Sequence, residues 1–415
     1  MTRQLLIAAF LALTPTSPAL TQGRAAQEAA ERALLKPTCA SQILRDQIVA
    51  KLIQQGGDDE KATARWELDA KCEQLSLTDK PVHDTADSAD SASHKDWIYD
   101  ARWSSDGKLI ATAGRDTDVR IWDANTGKIV RTIEIGKMTP VRKPRYPTHV
   151  RMVRFLNGDR MLAVAADAHP VRIFDVASGN QVAEIVYPFP EQYSDTAPAI
   201  AATQSGLLVI AGSSADVIAY DVNTKSERYR LKASGNDWPR FTISEAAGLL
   251  VTTVRGKDRG RDRSVILQVR DLATGGPLWE AETQGSLTVS SVAFSHDGKQ
   301  FVAAVDGQAY VYDISSKKLT AKVQYYPSFG GGLDITFTAD GKQLITGSRH
   351  AQLWDIATNK RVHHFGPFQD LLHSTDVSPD GKYLVTGHMG SDGRIWEIAT
   401  GTFFRRLGKN VYPPG

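Results

Sequence analysis

From His94 onward the chain alternates between short apolar runs and polar turns. In the first stretch, Trp97–Trp103, Leu109–Ala113, Val119–Asp123 and Lys128–Ile133 alternate in polarity or carry β-branched residues, the pattern of half-buried strands. Ser105-Asp106-Gly107-Lys108 and Asn125-Thr126-Gly127-Lys128 punctuate them with residues that suit tight turns. The unit then returns. An apolar residue, an aromatic and an acid recur at Ile121-Trp122-Asp123, Ile173-Phe174-Asp175, Ala219-Tyr220-Asp221, Val311-Tyr312-Asp313, Leu353-Trp354-Asp355 and Ile395-Trp396-Glu397, with a weaker copy at Val269-Arg270-Asp271. Successive anchors are 52, 46, 50, 42, 42 and 42 residues apart. A four-stranded antiparallel sheet cannot bury both faces alone, but sheets packed around an axis cover one another and leave only short edges. Seven such units predict an all-β fold, a seven-bladed β-propeller over residues 94–415, preceded by a small α-helical hairpin.

That hairpin is read from a different texture. Residues 24–75 are rich in Ala, Gln, Glu, Lys and Leu, and Ile43, Ile48, Val49, Leu52 and Ile53 recur at helical spacing. Gly56-Gly57 stops the pattern, and Asp58-Asp59 can cap a second helix running to about Leu75. Cys39 and Cys72 then face each other at the open end, where a disulfide suits an exported protein. Export is expected from residues 1–23. Arg3 precedes an apolar run, Leu5–Leu13, that Pro15 and Pro18 break. The run is too short for a ~30 Å hydrocarbon layer, which takes about 20 residues of helix. It reads as a signal peptide to a periplasmic or secreted location. Residues 76–93, rich in Ser, Asp, Ala and Thr, read as a flexible acidic linker.

Composition narrows the function. Lys and Arg total 49 against 47 Asp and Glu, a net +2, too balanced for a dedicated nucleic-acid binder. Two cysteines exclude a disulfide-dense scaffold and a multi-Cys zinc module. His363-His364 sits on an expected strand, so the two rings point to opposite faces and cannot share a metal. No metalloprotease, nucleophile-elbow or phosphate-loop motif occurs. No cofactor is expected.

The repeats resemble the WD-repeat (Trp-Asp) β-propeller family over residues 94–415, and the first carries the fullest signature: His94, Thr112, Gly114, Asp116 and Trp122-Asp123. The resemblance implies that His94, Thr112, Asp116 and Trp122 form a hydrogen-bonded network that locks one blade, a structural role. Repeat two keeps His149 and Asp167 but has Phe174; repeat six keeps Thr346 and Trp354. Thr402–Leu407 can supply the last blade's fourth strand, so closure needs no exchanged strand.

With strands lettered a to d outward, the a–b and c–d turns share one rim, and the b–c and d–a loops share the other. The long insertions fall on the second rim. They carry Arg142 and Arg145, Tyr187, Phe189 and Tyr193, Trp238, Tyr325, Tyr326 and Phe329, and Phe368 in d–a loops; Arg255 and Arg259 lie in a b–c loop. Aromatic anchors beside prolines and cations suit a protein or extended-peptide partner. The bland alternative is that these aromatics seal gaps between blades. The expected role is a non-catalytic protein–protein interaction scaffold, a monomer or part of a hetero-complex, binding no nucleic acid and inserting no mature segment into a membrane. The competing class is an enzyme with its site in the central channel, a metal-dependent hydrolase or quinone-type dehydrogenase, because Asp100, Asp334 and Asp376 fall on innermost strands.

Overall fold

The computed structural model describes residues 93–140, 148–187, 197–212, 216–232, 240–259, 262–282, 289–305, 307–325, 334–347, 351–365, 371–390 and 392–407. The signal segment, the hairpin with Cys39 and Cys72, and the linker but for Ser93 lie outside these residues, as do Arg142, Arg145, Phe189, Tyr193, Trp238, Tyr326, Phe329 and Phe368. The chain divides into Met1–Ala86 and Asp87–Gly415, and all the described residues belong to the second unit.

Seven four-stranded antiparallel sheets follow one another, each with its strands in chain order. The first is built of Ile98–Trp103, Leu109–Gly114, Asp118–Asp123 and Ile129–Glu134, within a residue of the sequence pattern. The other innermost strands are Val150–Leu156, Ala199–Ala202, Phe241–Ser244, Val289–Phe294, Asp334–Phe337 and Leu372–Val377. Phe403–Leu407 is the outermost strand of the seventh sheet, so the ring closes without a swapped strand.

The core is divided among the junctions. One apolar cluster joins blades 1 and 2 through Val119, Ile121, Val153 and Phe174. Equivalent clusters fill the five junctions from blade 2 to blade 7. A further one joins blade 7 to blade 1 through Val385, Ile395, Leu407, Ile98 and Trp122. Each sheet is therefore apolar on both faces and stays out of water only because its neighbours cover it.

The repeated acid of the anchor motif builds a turn. Oδ1 of Asp123, Asp175, Asp271, Asp313 and Asp355 accepts the backbone N–H three residues on, at 2.7 or 2.8 Å. In every sheet the c–d pairing also skips one residue of strand d beside the anchor, including the weak copy at Val269-Arg270. A bulge twists an edge strand and spoils it as a template for another chain. It also turns Val130, Val182, Leu278, Val362 and Phe404 outward.

One expectation is corrected here. Arg255 and Arg259 do not lie in a loop: strand Leu249–Arg259 carries both and pairs with Asp262–Asp271. The register sets Asp258 opposite Arg263 and Arg259 opposite Asp262.

Candidate functional site

The first blade carries the expected relay. Trp122 Nε1–H donates to Thr112 Oγ1 at 2.8 Å, Thr112 donates to His94 Nε2 at 2.7 Å, and His94 Nδ1–H donates to Asp116 Oδ1 at 2.8 Å. Burial pushes the His94 pKa down despite Asp116, which keeps the ring neutral, as the relay requires. Burial alone would raise Asp116, but its bonds to His94 and to the Lys95 N–H hold it well below the usual carboxylate range. Blade 6 keeps the Trp354 to Thr346 bond at 3.1 Å.

Blade 7 completes a relay that the sequence did not reveal. Trp396 donates to Thr386, 3.0 Å away, and His388 Nε2 lies 2.8 Å from the same hydroxyl. His388 pairs with Leu372 where Gly114 pairs with Ile98, so the imidazole comes from strand b itself. The two solutions exclude each other, because a Cβ at Gly114 would lie 2.2 Å from His94 Nδ1. The sequence signal was a His in the glycine position. Blade 2 is also re-registered. His149 and Asp167 approach to 3.3 Å, but Asp167 N–H bonds His149 O as Arg115 N–H bonds Trp97 O. His149 therefore occupies the Trp97 position, not the His94 position.

The innermost strands surround a cavity of about 580 Å³. Its charged wall belongs to blades 6, 7, 1 and 2. Asp334 accepts the Thr375 N–H at 2.8 Å, Asp376 accepts the Trp103 N–H at 2.8 Å, and Asp100 accepts the Val153 N–H at 3.0 Å. Each bond crosses from one blade to the next. Arg102 Nε donates to Asp100 at 2.7 Å and stands 3.7 Å from Asp334 and 3.8 Å from Asp376. Arg154 donates to Asp100 at 2.5 Å. Burial alone would raise Asp100, yet Arg102 and Arg154 hold it down, whereas burial pushes Asp376 up to about 6. The three acids thus stitch blades together and neutralise guanidinium groups, and the described residues hold no group of three metal-ligating side chains. The opposite wall carries Ala199, Ala201, Ser290, Ser291 and Ala293 on either side of Arg240 and Phe241.

The inner strands begin at the mouth on the loop-bearing rim, where aromatic rings gather. Tyr99 lies 5.1 Å from His373, 5.8 Å from His149 and 6.2 Å from Trp97, centroid to centroid. The Arg115 guanidinium stands 4.5 Å above Trp97 and that of Arg151 4.3 Å above Tyr99, both in cation–π range. All six residues are half-buried. The opposite rim is laced shut between blades 1 and 4. Asp159 accepts from Ser105 and the Asp106 N–H, Gln204 accepts the Asp159 N–H, and Glu245 accepts the N–H groups of Gln204 and Ser205.

Comparison with known proteins matches the repeat described as "WD domain, G-beta repeat" to residues 90–123, 279–313 and 359–397. The second match begins in the outer strand of one blade, the third one residue before such a strand, and both end at the third-strand anchor of the next blade. The chain carries WD repeats. This WD-repeat chain is 26% identical over 44% of its length to U3 small nucleolar RNA-associated protein 12 of Saccharomyces cerevisiae, and spans 19% of that protein. It is 20% identical over 73% of its length to eukaryotic translation initiation factor 3 subunit I of Candida glabrata, spanning 89% of it. It is 20% identical over 72% of its length to the guanine nucleotide-binding protein subunit beta of Arabidopsis thaliana, spanning 69% of it. WD-repeat propellers of this kind are typical protein-interaction scaffolds.

Two expected contact residues of the WD-repeat ring are corrected. Tyr187 and Tyr325 are 5% and 2% exposed and lie in the clusters joining blades 2–3 and 5–6. Both occupy the position just past strand d that Ile135 fills at the 1–2 junction. Tyr187 Oη accepts the Gly212 N–H at 2.8 Å and donates to Asp216 O. They seal gaps between blades. Arg255 and Arg259 are strand residues of blade 4. The mouth residues Trp97, Tyr99, His149, Arg151 and His373 were missed as a group because they come from three different repeats and from strand ends, which read as scaffold.

Proposed function

We propose that this WD-repeat protein is a non-catalytic scaffold that docks a partner protein on the rim bearing the d–a and b–c loops, centred on the channel mouth. The supporting observation is the half-buried cluster of Trp97, Tyr99, His149 and His373 beneath Arg115 and Arg151. Such amphipathic rings and guanidinium groups are the side chains that anchor interfaces. Between blades 1 and 4 the opposite rim has polar groups engaged within the ring, which favours the mouth side. Two relatives are named as subunits, in keeping with a place in an assembly. Channel chemistry of the hydrolase kind has weaker support, since the three acids are held by N–H groups and guanidinium groups. Export to the periplasm or beyond remains part of this reading through Arg3 and Leu5–Leu13. Comparing the migration of chain from whole cells with chain from the exported fraction tests that part.

The docking test is affinity capture from the native host with Arg115→Glu and with Arg151→Glu, set against Lys108→Glu on the laced rim. Partners that disappear in the first two and persist in the third support the mouth. An unchanged partner set in all three variants, with melting temperatures preserved, refutes it.

A further inference from the structure

Four arginines line the channel: Arg102, Arg151, Arg154 and Arg240. Three have anions. Arg102 and Arg154 hold Asp100, and Arg151 holds Asp167 at 3.0 Å. Arg240 has no ion pair with any described residue. It stands at the blade-4 start of the innermost strand, where its N–H bonds Thr253 and its carbonyl accepts the Thr253 N–H. This is the layer Asp100 occupies in blade 1. Arg240 is exposed to the channel's solvent, and Asp334 attracts it only from beyond ion-pair distance. The channel's acids already accept the Thr375, Trp103 and Val153 N–H groups, and none of the described carboxylates lies within ion-pair distance of Arg240.

The space beside it is shaped for a chain. Ala199, Ala201, Ser290, Ser291 and Ala293 put no large side chain into the cavity next to Arg240. Across the cavity stand Tyr99 and His373, whose faces can hold the side chains flanking a bound charge. We propose that the channel mouth receives an extended acidic segment of the partner protein, with an Asp or Glu carboxylate seated on Arg240 and neighbouring side chains against Tyr99 and His373. This rests on the mouth-side docking proposed above and adds the chemistry of what enters. A carboxylate there would give Arg240 a close anion, and a guanidinium can take it with two parallel N–H donors. A basic segment would instead meet Arg240 and Arg151, a repulsion that costs specificity against it.

The probe is C-terminally amidated, fluorescein-labelled hexaglutamate, read by anisotropy against the full chain in low and moderate salt. A hexalysine counterpart, and a hexaalanine peptide with a free carboxylate, are the comparison arms. Hexaglutamate should bind and hexalysine should not. Arg240→Glu should weaken hexaglutamate at least about tenfold, whereas Lys299→Glu, the same charge change on the opposite rim, should alter it less than about twofold. Arg240→Lys should recover part of the loss. Equal weakening by both reversals, tighter hexalysine binding, or no hexaglutamate binding overturns the inference. Hexaalanine as tight as hexaglutamate would overturn the side-chain assignment, a terminal carboxylate then being the ligand. The two readings fail separately. If partner capture ignores Arg115→Glu and Arg151→Glu while hexaglutamate still depends on Arg240, the docking reading falls. If capture depends on those arginines and hexaglutamate ignores Arg240, only the acidic-segment inference falls.

Discussion

Replacing Thr112 by Val tests whether the first-blade relay is held by its hydroxyl. The side chain keeps its shape and the site is fully buried, so packing changes little. What is lost is the acceptor for Trp122 Nε1–H and the donor to His94 Nε2, at 2.8 and 2.7 Å. Both partners lie at 2% exposure or less, out of reach of water. An orphaned buried polar group costs roughly 1–3 kcal/mol, so two orphans should cost about 3–4 kcal/mol. Trp122→Phe alone removes one donor and shrinks a buried ring, for about 1–3 kcal/mol. The double variant no longer has an indole N–H to orphan, so the two changes should couple by about 1–2 kcal/mol. The chain contains its own precedent: blade 2 carries Val164 and Phe174 in these positions and forms the same sheet. Urea unfolding at constant slope reads the three differences. Strict additivity, or a Thr112→Val cost under about 1 kcal/mol, would show that packing and not the hydroxyl holds the blade.

Tyr187→Phe should destabilise by about 1–3 kcal/mol through the orphaned Gly212 N–H without changing partner capture, checked by melting and by the capture assay. The pH dependence has two opposed parts. Burial lowers His94 and His388 from the ordinary 6.5, so they bind more protons unfolded, and their contribution is complete above pH 6.5 and lost as the pH falls below it. Asp376, raised from 3.8 to about 6, binds more protons folded, so its contribution declines as the pH rises through that window. Asp376→Asn should therefore make the acid loss of melting temperature steeper, and a shallower profile would contradict the assignment. Arg102→Ala should cost about 3–5 kcal/mol by leaving Asp100 and its neighbours without their cation. Hydrogen exchange should show the first loss of protection in blades 7 and 1.

The ring was legible because its signals are local and repeat. The anchor acids build the c–d turns and mark the same bulge in every sheet, even where Arg270 stands in place of an aromatic. The site was less legible because its members are placed by closure. Nothing in the Tyr187 segment distinguishes an aromatic facing solvent from one wedged against the next blade; only the blade-3 hydrogen bonds at Gly212 and Asp216 decide it. Asp100, Asp334 and Asp376 were rightly placed on inner strands, but their role was set by N–H groups of the following repeat, which a single repeat cannot reveal. Arg255 and Arg259 were expected in a b–c loop, and only the pairing register shows that their strand continues through them.

The channel's asymmetry follows from where the ring closes. Between blades 7 and 1 the first and last sheets meet, with most of the chain between them in sequence, so no short connection holds that junction. The three acid clasps span the junctions 6–7, 7–1 and 1–2, centred on that seam. Arg102 adds a bond across it to Thr375 O at 3.0 Å. Charge on this wall is thus spent on closure, and Asp334 and Asp100 make the same bond from equivalent positions while Ser374, between them, leaves the task to Asp376 one layer deeper. Blades 3 to 5 lie away from that seam, and in the layer that Asp100 occupies in blade 1 they carry Ala199, Arg240 and Ser291. The wall beside the seam is filled with paired charge, and the site proposed for an acidic segment lies on the wall opposite, at Arg240.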